Sequence, residues 1–283
     1  MTDQSLELSV IVPCHNEAAT LPTQLDALMA QQWDGAWEII VVDNNSTDET
    51  AEIAAGYSGG HPSVRVVTAD GGAGVAYARN AGARASTATS VAFCDGDDMV
   101  LAGWTAAIGS ALRHHALVSG SVDVHTLNPD WLSESRPVPR GDLPSFGSTP
   151  FVRGNNCAMH RSVWERLDGF SENFVGLEDI EFSLRAAGAG IDVVAVPSAI
   201  VAYRYRSSMR DAWRQGVFYG RGRTTLARIA ADHGLDGPSS LAWLRPTGWL
   251  VVNAPRVVTK RGRAAWTWVA ANRWGALLGR LGR

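Results

Sequence analysis

The sequence predicts an α/β fold, a mainly parallel sheet flanked by helices, with a helical extension at its C-terminal side. Two observations predict the sheet. Short, continuously apolar runs recur along the first hundred residues, as strands buried on both faces require. Between them lie stretches of helical period, and strands alternating with helices pair in parallel through right-handed crossovers. The third observation marks the extension. After Asp236 no Asp or Glu occurs, while eight Lys and Arg and five Trp do, Trp243 and Trp274 among them.

The elements follow in order. Leu8 to Pro13 is the first strand. Leu21, Leu25 and Leu28 then share one helical face. Glu38 to Asp43, with Ile39-Ile40-Val41-Val42, is the second strand. Ser46-Thr47-Asp48-Glu49 matches a capping box, with Ser46 as N-cap of a helix running to about Gly56. Val64 to Thr68 is the third strand. Gly71-Gly72-Ala73-Gly74 leads into a helix over about Val75 to Ala85, and Val91 to Cys94 is the fourth strand. Beyond residue 100 the alternation weakens. A helix is expected near Gly103 to His115 and a strand within Ala116 to Leu127. Asn128 to Pro150, with Pro129, Pro137, Pro139, Pro144 and Pro150, reads as one long loop. Glu178 to Ala187 is a helix with Ile180 and Leu184 inward, and Asp192 to Tyr205 is strand-rich.

Composition bounds the function. The chain has 283 residues, 46% hydrophobic and 19% charged, which is globular. A net charge of -3 gives no general case for nucleic acid. Cys14, Cys94 and Cys157 are widely spaced and odd in number, so reduced thiols in a cytoplasmic setting are expected. The polar stretch Met1 to Glu7 is not a signal peptide, and no apolar run is long enough to span a membrane.

Ligands of open parallel sheets bind beyond the C-terminal strand ends. Here those ends are Pro13-Cys14-His15-Asn16-Glu17, Asp43-Asn44-Asn45-Ser46 and Asp95-Gly96-Asp97-Asp98, three polar tips on one edge. Carboxylates as close as Asp95, Asp97 and Asp98 repel one another; they are either a solvated turn or a cation site, and oxygen ligands suit Mg²⁺ or Mn²⁺. No dinucleotide fingerprint follows the first strand, and Gly71-Gly72-Ala73-Gly74 is not a P-loop. Asp43 either accepts from a nucleobase N–H or satisfies its own turn. Arg79 either faces a phosphate or is a solvated helix residue. Trp131, Trp164 and Phe146 are either sugar-stacking faces or packing. His114, His115 and His160 have no partner at metal spacing.

Together, Val10-Ile11-Val12-Pro13…Asn16-Glu17, Val41-Val42-Asp43-Asn44-Asn45-Ser46-Thr47-Asp48, Ala78-Arg79-Asn80-Ala81-Gly82, Asp95-Gly96-Asp97-Asp98, Arg153-Gly154-Asn155-Asn156 and Gly176-Leu177-Glu178-Asp179-Ile180-Glu181-Phe182 resemble glycosyltransferase family 2, over roughly residues 8 to 225. The resemblance implies a GT-A fold and a metal-dependent, inverting, hexosyltransferase-type enzyme of glycan, cell-envelope or glycoconjugate synthesis. The donor would be a UDP, GDP or dTDP sugar, and the acceptor a carbohydrate or lipid-linked hydroxyl. It implies that Asp43 contacts the base, that Asp95 lies near the ribose and the metal, and that Asp97 binds the Mn²⁺ or Mg²⁺ bridging the diphosphate. Pro13, His15, Glu17, Asn45, Gly72, Arg79 and Gly96 would build the nucleotide pocket. Asp179, beside Glu178, would be the catalytic base, with Glu181 as the fallback. Two positions depart from the pattern: His15 after Cys14, and Arg204 where relatives often place a His. Residues 1–205 would form the catalytic domain, nucleotide-sugar half about 1–100 and acceptor half about 101–205, and residues 206–283 the basic, Trp-rich extension. That extension either meets an anionic membrane surface at the inner face of the cell membrane or packs on the catalytic domain or a second copy in a homodimer. Two other readings stand beside this one: a sugar-1-phosphate nucleotidyltransferase, and a non-catalytic nucleotide-sugar-binding module.

Overall fold

A computed structural model describes residues 6–60, 62–138, 141–174, 176–238 and 244–282. Pro139, Trp243 and the stretch Met1 to Ser5, all weighed above, lie outside the described residues.

One mixed sheet of eight strands forms the centre: β1 (Leu8–Cys14), β2 (Trp37–Asp43), β3 (Ser63–Thr68), β4 (Ser90–Phe93), β5 (Met99–Val100), β6 (Leu117–Asp123), β9 (Cys157–His160) and β10 (Val194–Ala202). Their order is β3-β2-β1-β4-β9-β6-β10-β5. β9 runs antiparallel to both β4 and β6, and β5 antiparallel to β10; the other six strands share one direction. β5 and β9 were not expected, and their brevity is the reason: two and four residues carry no period.

Successive side chains of a strand face opposite sides of the sheet. Val10, Val12, Ile39 and Val41 meet helices α1 (Leu21–Met29), α2 (Thr50–Gly56) and α4 (Trp104–Leu112) on one face. Ile11, Ile40 and Val42 meet α3 (Val75–Ala85), α6 (Arg161–Arg166) and α7 (Glu178–Gly188) on the other. Leu21, Leu25 and Leu28 are fully buried, as the leucine spacing requires.

Two local expectations fail. Ser46 does not cap α2, which starts four residues later. The N-cap is Glu49, without a side-chain cap bond; Asp48 before it accepts the Thr50 N–H on Oδ1 at 3.1 Å, while the Ser46 hydroxyl accepts the Asn16 N–H at 3.0 Å and laces the first two strand tips together. Asn128 to Pro150 is also not one loop. It contains α5 (Asp130–Ser133) and a hairpin of β7 (Ser145–Phe146) and β8 (Thr149–Pro150), which proline-rich sequence hides.

The C-terminal region is α8 (Met209–Asp232), α9 (Leu244–Val252), a 3-10 turn over Ala254–Val258 and α10 (Lys260–Arg280). α8 and α10 pack closely because their seam is made of glycines. A Cβ on Gly220 would lie 2.2 Å from the Asn272 carbonyl oxygen, and one on Gly275 2.0 Å from that of Val217. Further along α8, Leu226 and Ala230 pack against Phe146, Ile180 and Leu184. So α8 joins the catalytic body to the tail. No helix among the described residues is long and apolar enough to cross a membrane.

Candidate active site

The tips of β1, β2 and β4 open into one cavity of about 740 Å³, closed on the other side by α7, α8 and the chain after β10. Pro13, His15, Glu17, Asn45, Arg79, Asp95, Asp97, Glu178 and Asp179 all line it. Asp43, Gly72 and Gly96 are not on the lining. Asp43 accepts the Ser46 N–H at 3.3 Å. The Gly72 carbonyl accepts from Asn44 and Asn45, each at 2.8 Å. Gly96 is packed so tightly that a Cβ would lie 2.0 Å from Glu17 Oε2.

Asn44, which sequence reading passed over, braces the nucleotide side. Its amide donates to the Ala69 and Gly72 carbonyls, and its oxygen accepts the Gly74 N–H at 2.9 Å, so it fixes the glycine loop entering α3. His15 Nδ1 lies 2.8 Å from the Asn44 carbonyl, which holds the imidazole against the same tip.

Carboxylate oxygens of Asp95, Asp97 and Asp98 lie within 4.8 Å of one another. Burial, then the neighbouring aspartates, push the carboxyls of Asp97 and Asp98 above their ordinary range. Asp98 has both oxygens engaged: Oδ1 accepts the Arg204 N–H at 2.8 Å and Oδ2 the Asn155 amide at 2.6 Å. Asp97 Oδ2 lies 3.4 Å from Arg206 Nη1. Glu17, beside them, is pushed up to about 8 by burial and by Asp97 and Asp95, and its Oε2 is buried without a partner among the described residues. A crowd of mutually destabilised hard-oxygen donors with an orphaned lone pair fits Mg²⁺ or Mn²⁺. Asp95 and Asp97, less committed than Asp98, are the better placed to hold it.

Arg79 ties this cluster to the opposite wall. It is 2% exposed, donating to Asp95 at 2.8 Å and to Glu178 at 2.5 Å. Burial opposes its charge, but the two carboxylates outweigh that and hold the guanidinium ionised. Glu178 and Asp179 open α7, whose N-terminal dipole favours carboxylates. Asp179 is pushed up to about 6, first by burial and then by Glu178. The N–H groups of Gly154 and Ile180 pull the other way, donating to its Oδ2 at 3.1 Å and its Oδ1 at 2.8 Å. Glu181 is bound to Arg185 and is off the lining.

The aromatic candidates are elsewhere. Phe146 packs under α8, Trp164 bonds to Asn80 and Trp131 lies under Lys260. The rings on the cavity are Phe151, Tyr203, Tyr205, Phe218 and Tyr219. Tyr219 is pushed up to about 12 by burial, then by Asp179 and Glu178. Sequence reading missed Tyr219 because it sits in a region taken for an extension; its spacing of four from Gln215 and Arg223 on one helix was the available signal.

The family model for Glycosyl transferase family 2 matches residues 9–168, and that for Glycosyl transferase family group 2 matches residues 143–275. Among curated proteins, the uncharacterized glycosyltransferase YibD of Escherichia coli is 36% identical over 131 residues, 46% of this chain and 36% of that protein. The probable glycosyltransferase YdaM of Bacillus subtilis is 25% identical over 76% of this chain and 55% of its own length, so the chain spans only part of both relatives. The O-antigen chain rhamnosyltransferase RfbN of Salmonella typhimurium is 26% identical over 88% of this chain and 83% of its own. Among solved structures, a Pyrobaculum calidifontis mannosyltransferase in complex with GDP-Man and Mn²⁺ matches with a TM-score of 0.67 at 22% identity, over 99% of this chain and 88% of that one. TarS residues 1–349 of S. aureus with UDP-GlcNAc matches with a TM-score of 0.57 at 17% identity, over 98% and 93%. These likenesses show a shared GT-A fold.

Proposed function

Because the chain belongs to glycosyl transferase family 2, we propose that it moves a hexosyl group from a nucleoside-diphosphate sugar to an acceptor hydroxyl with inversion, using a divalent cation. The observation that carries this reading is the line Asp97–Asp95–Arg79–Glu178–Asp179 across one cavity, from candidate metal ligands to candidate base.

Asp95 and Asp97 would hold the Mn²⁺ or Mg²⁺, which would supply charge neutralisation to the leaving diphosphate. Asp179 takes the proton of the acceptor hydroxyl. That oxygen bonds to the anomeric carbon as the bond to the diphosphate breaks, and the leaving oxygen keeps the electron pair. Attack from the side opposite the diphosphate inverts the anomeric centre. A carboxyl near 6 is ionised at neutral pH yet basic enough to accept a proton. Arg79 fixes Asp95 and Glu178, and Arg206, which pairs with Asp97 across 3.4 Å, would turn to the diphosphate oxygens of a bound donor. His15, Asn45 and the Asn44-braced loop border the nucleoside, with Asp43 supporting the turn behind it.

The acceptor belongs to a carbohydrate or lipid-linked glycan, and the protein works at the cytoplasmic membrane face through α9 and α10. Val251, Val252 and Val258 are 73%, 77% and 80% exposed, and the whole segment beyond Asp236 is free of acids, which suits an anionic lipid surface. The catalytic unit ends near residue 205 by chain order, while α8 contributes walls from the extension. The test is calorimetric titration of UDP, GDP and dTDP into wild type and D97A, with Mn²⁺ and with chelator. Binding of one nucleotide that needs both Mn²⁺ and Asp97 supports the reading. Binding indifferent to both removes the metal site.

A further inference from the structure

Four arginines on the cavity lining have partners among the described residues. Arg79 faces Asp95 and Glu178. Arg153 donates to the carbonyls of Gly120 and Asp142, Arg204 to that of Asp97, and Arg206 pairs with Asp97. Arg223 also lines the cavity, and no acid, carbonyl or ring among the described residues engages it. The residue is exposed as a whole, yet the surrounding protein desolvates its guanidinium enough to lower its pKa, with no neighbouring charge contributing.

Its position on α8 separates it from the donor machinery. Tyr219, one turn before, is the α8 group that feels Asp179 and Glu178. Leu226, one turn after, packs into the cluster of Phe146, Ile180 and Leu184, with Phe151 and Leu177 against it. Arg223 therefore lies beyond the candidate base, toward the wall made by Phe151, Leu177 and Ile180, and away from the tips of β1, β2 and β4. Phe218, on the same helix, lines the same cavity and is 39% exposed, so the cavity keeps an open apolar face.

A partly desolvated guanidinium with no partner is most stable against an oxyanion that matches its fork. We infer that Arg223 binds an anionic group, a phosphate or a carboxylate, carried by the acceptor. This rests on the transfer reading above and adds to it the acceptor's chemical class. Tyr219 and Phe218 would lie along the part of the acceptor between that anion and the hydroxyl at Asp179.

The experiment uses the full chain saturated with Mn²⁺ and the nucleoside diphosphate that binds it. Inorganic phosphate, acetate and dodecyl phosphate are titrated in separate arms by calorimetry. R223Q should weaken phosphate binding about tenfold, the loss of one charge-assisted contact. R223K should recover part of it, and neither variant should change nucleoside-diphosphate affinity or melting temperature, because Arg223 has no internal partner to lose. Stronger binding of acetate than phosphate assigns a carboxylate, and stronger binding of dodecyl phosphate assigns a lipid-borne phosphate, each only if R223Q removes it. Phosphate that fails to bind wild type, or binds R223Q unchanged, overturns the inference. So does phosphate binding lost in R206Q but kept in R223Q, and so does loss of the nucleoside diphosphate itself in R223Q, which would give Arg223 to the donor. If no nucleoside diphosphate binds wild type, the transfer reading fails, and the phosphate arms, run without nucleotide, still decide the role of Arg223.

Discussion

Replacing Asp179 by Asn should leave the protein nearly inactive and remove a pH-dependent cost from its stability. Asp179 is largely buried at the cavity wall, and its carboxyl rises from the ordinary 3.8 to about 6. An acid whose pKa is raised by folding keeps its proton more readily folded than unfolded. Stability thus falls as pH rises through the window from 3.8 to about 6, and the full cost is present above it. At roughly 1.4 kcal/mol per tenfold, that cost is about 3 kcal/mol. The amide of Asn has the shape of the acid but a single acceptor oxygen, so it can serve only one of the Gly154 and Ile180 N–H groups, and the loss of the other offsets part of the gain from removing the charge at every pH. The stability of D179N relative to wild type in urea unfolding should therefore rise by about 2 kcal/mol between about pH 4 and pH 7.5, whatever the constant cost of the lost contact. Transfer should drop by roughly two to four orders of magnitude, with donor binding unchanged, and the wild-type rate should fall as pH drops through about 6. An equal stability difference at both pH values would refute the buried charge; full transfer by D179N would refute the base.

Other perturbations separate binding from scaffolding. Arg79→Met leaves Asp95 and Glu178 facing each other uncompensated and should cost about 3–5 kcal/mol in urea unfolding, with Arg79→Lys unable to restore both contacts. Asp98→Ala should lower stability by about 1–3 kcal/mol, since the Arg204 N–H and the Asn155 amide lose their acceptor. Asp97→Ala should leave the melting temperature nearly unchanged while removing Mn²⁺-dependent nucleotide binding in calorimetry. Exchanging Val251, Val252 and Val258 together for Asp should reduce co-sedimentation with anionic vesicles and leave the neutral-vesicle baseline alone; unchanged co-sedimentation would remove the proposed membrane contact.

The nucleotide half was the legible part of this chain. Its inner strands β1, β2 and β4 are mostly apolar runs buried on both faces, and α3 occupies Val75–Ala85 as its glycine entry and period imply. The polar tips were legible because chain order and sheet direction place β1, β2 and β4 side by side. Beyond residue 100 the determinants are long-range. β9 is a strand because β4 and β6 flank it, not because Cys157-Ala158-Met159-His160 has a period. Asp98 reads as one more acid of a cation site, and only the fold reveals that Arg204, 106 residues away, donates to it. Trp266, Ala270, Trp274, Leu277 and Leu281 read as an apolar stripe, whereas the buried positions of α10 are Ala264, Ala271 and Gly275. Helix seams made of small residues carry almost no hydrophobic signal, so the role of α8 as a cavity wall was hidden with them.

The Arg79 clamp also bears on how the chain is made. Its two acceptors leave the ribosome at different times: Asp95 emerges 16 residues after Arg79, but Glu178 emerges 99 residues after it. Arg204 and Arg206, which reach Asp98 and Asp97, emerge later still. A nascent chain ending near residue 100 holds the strands of the nucleotide half and Arg79, but not the arginines that face Asp97 and Asp98. That edge must stay hydrated until β10 has left the ribosome, so the first half reaches its final form only when the second folds onto it.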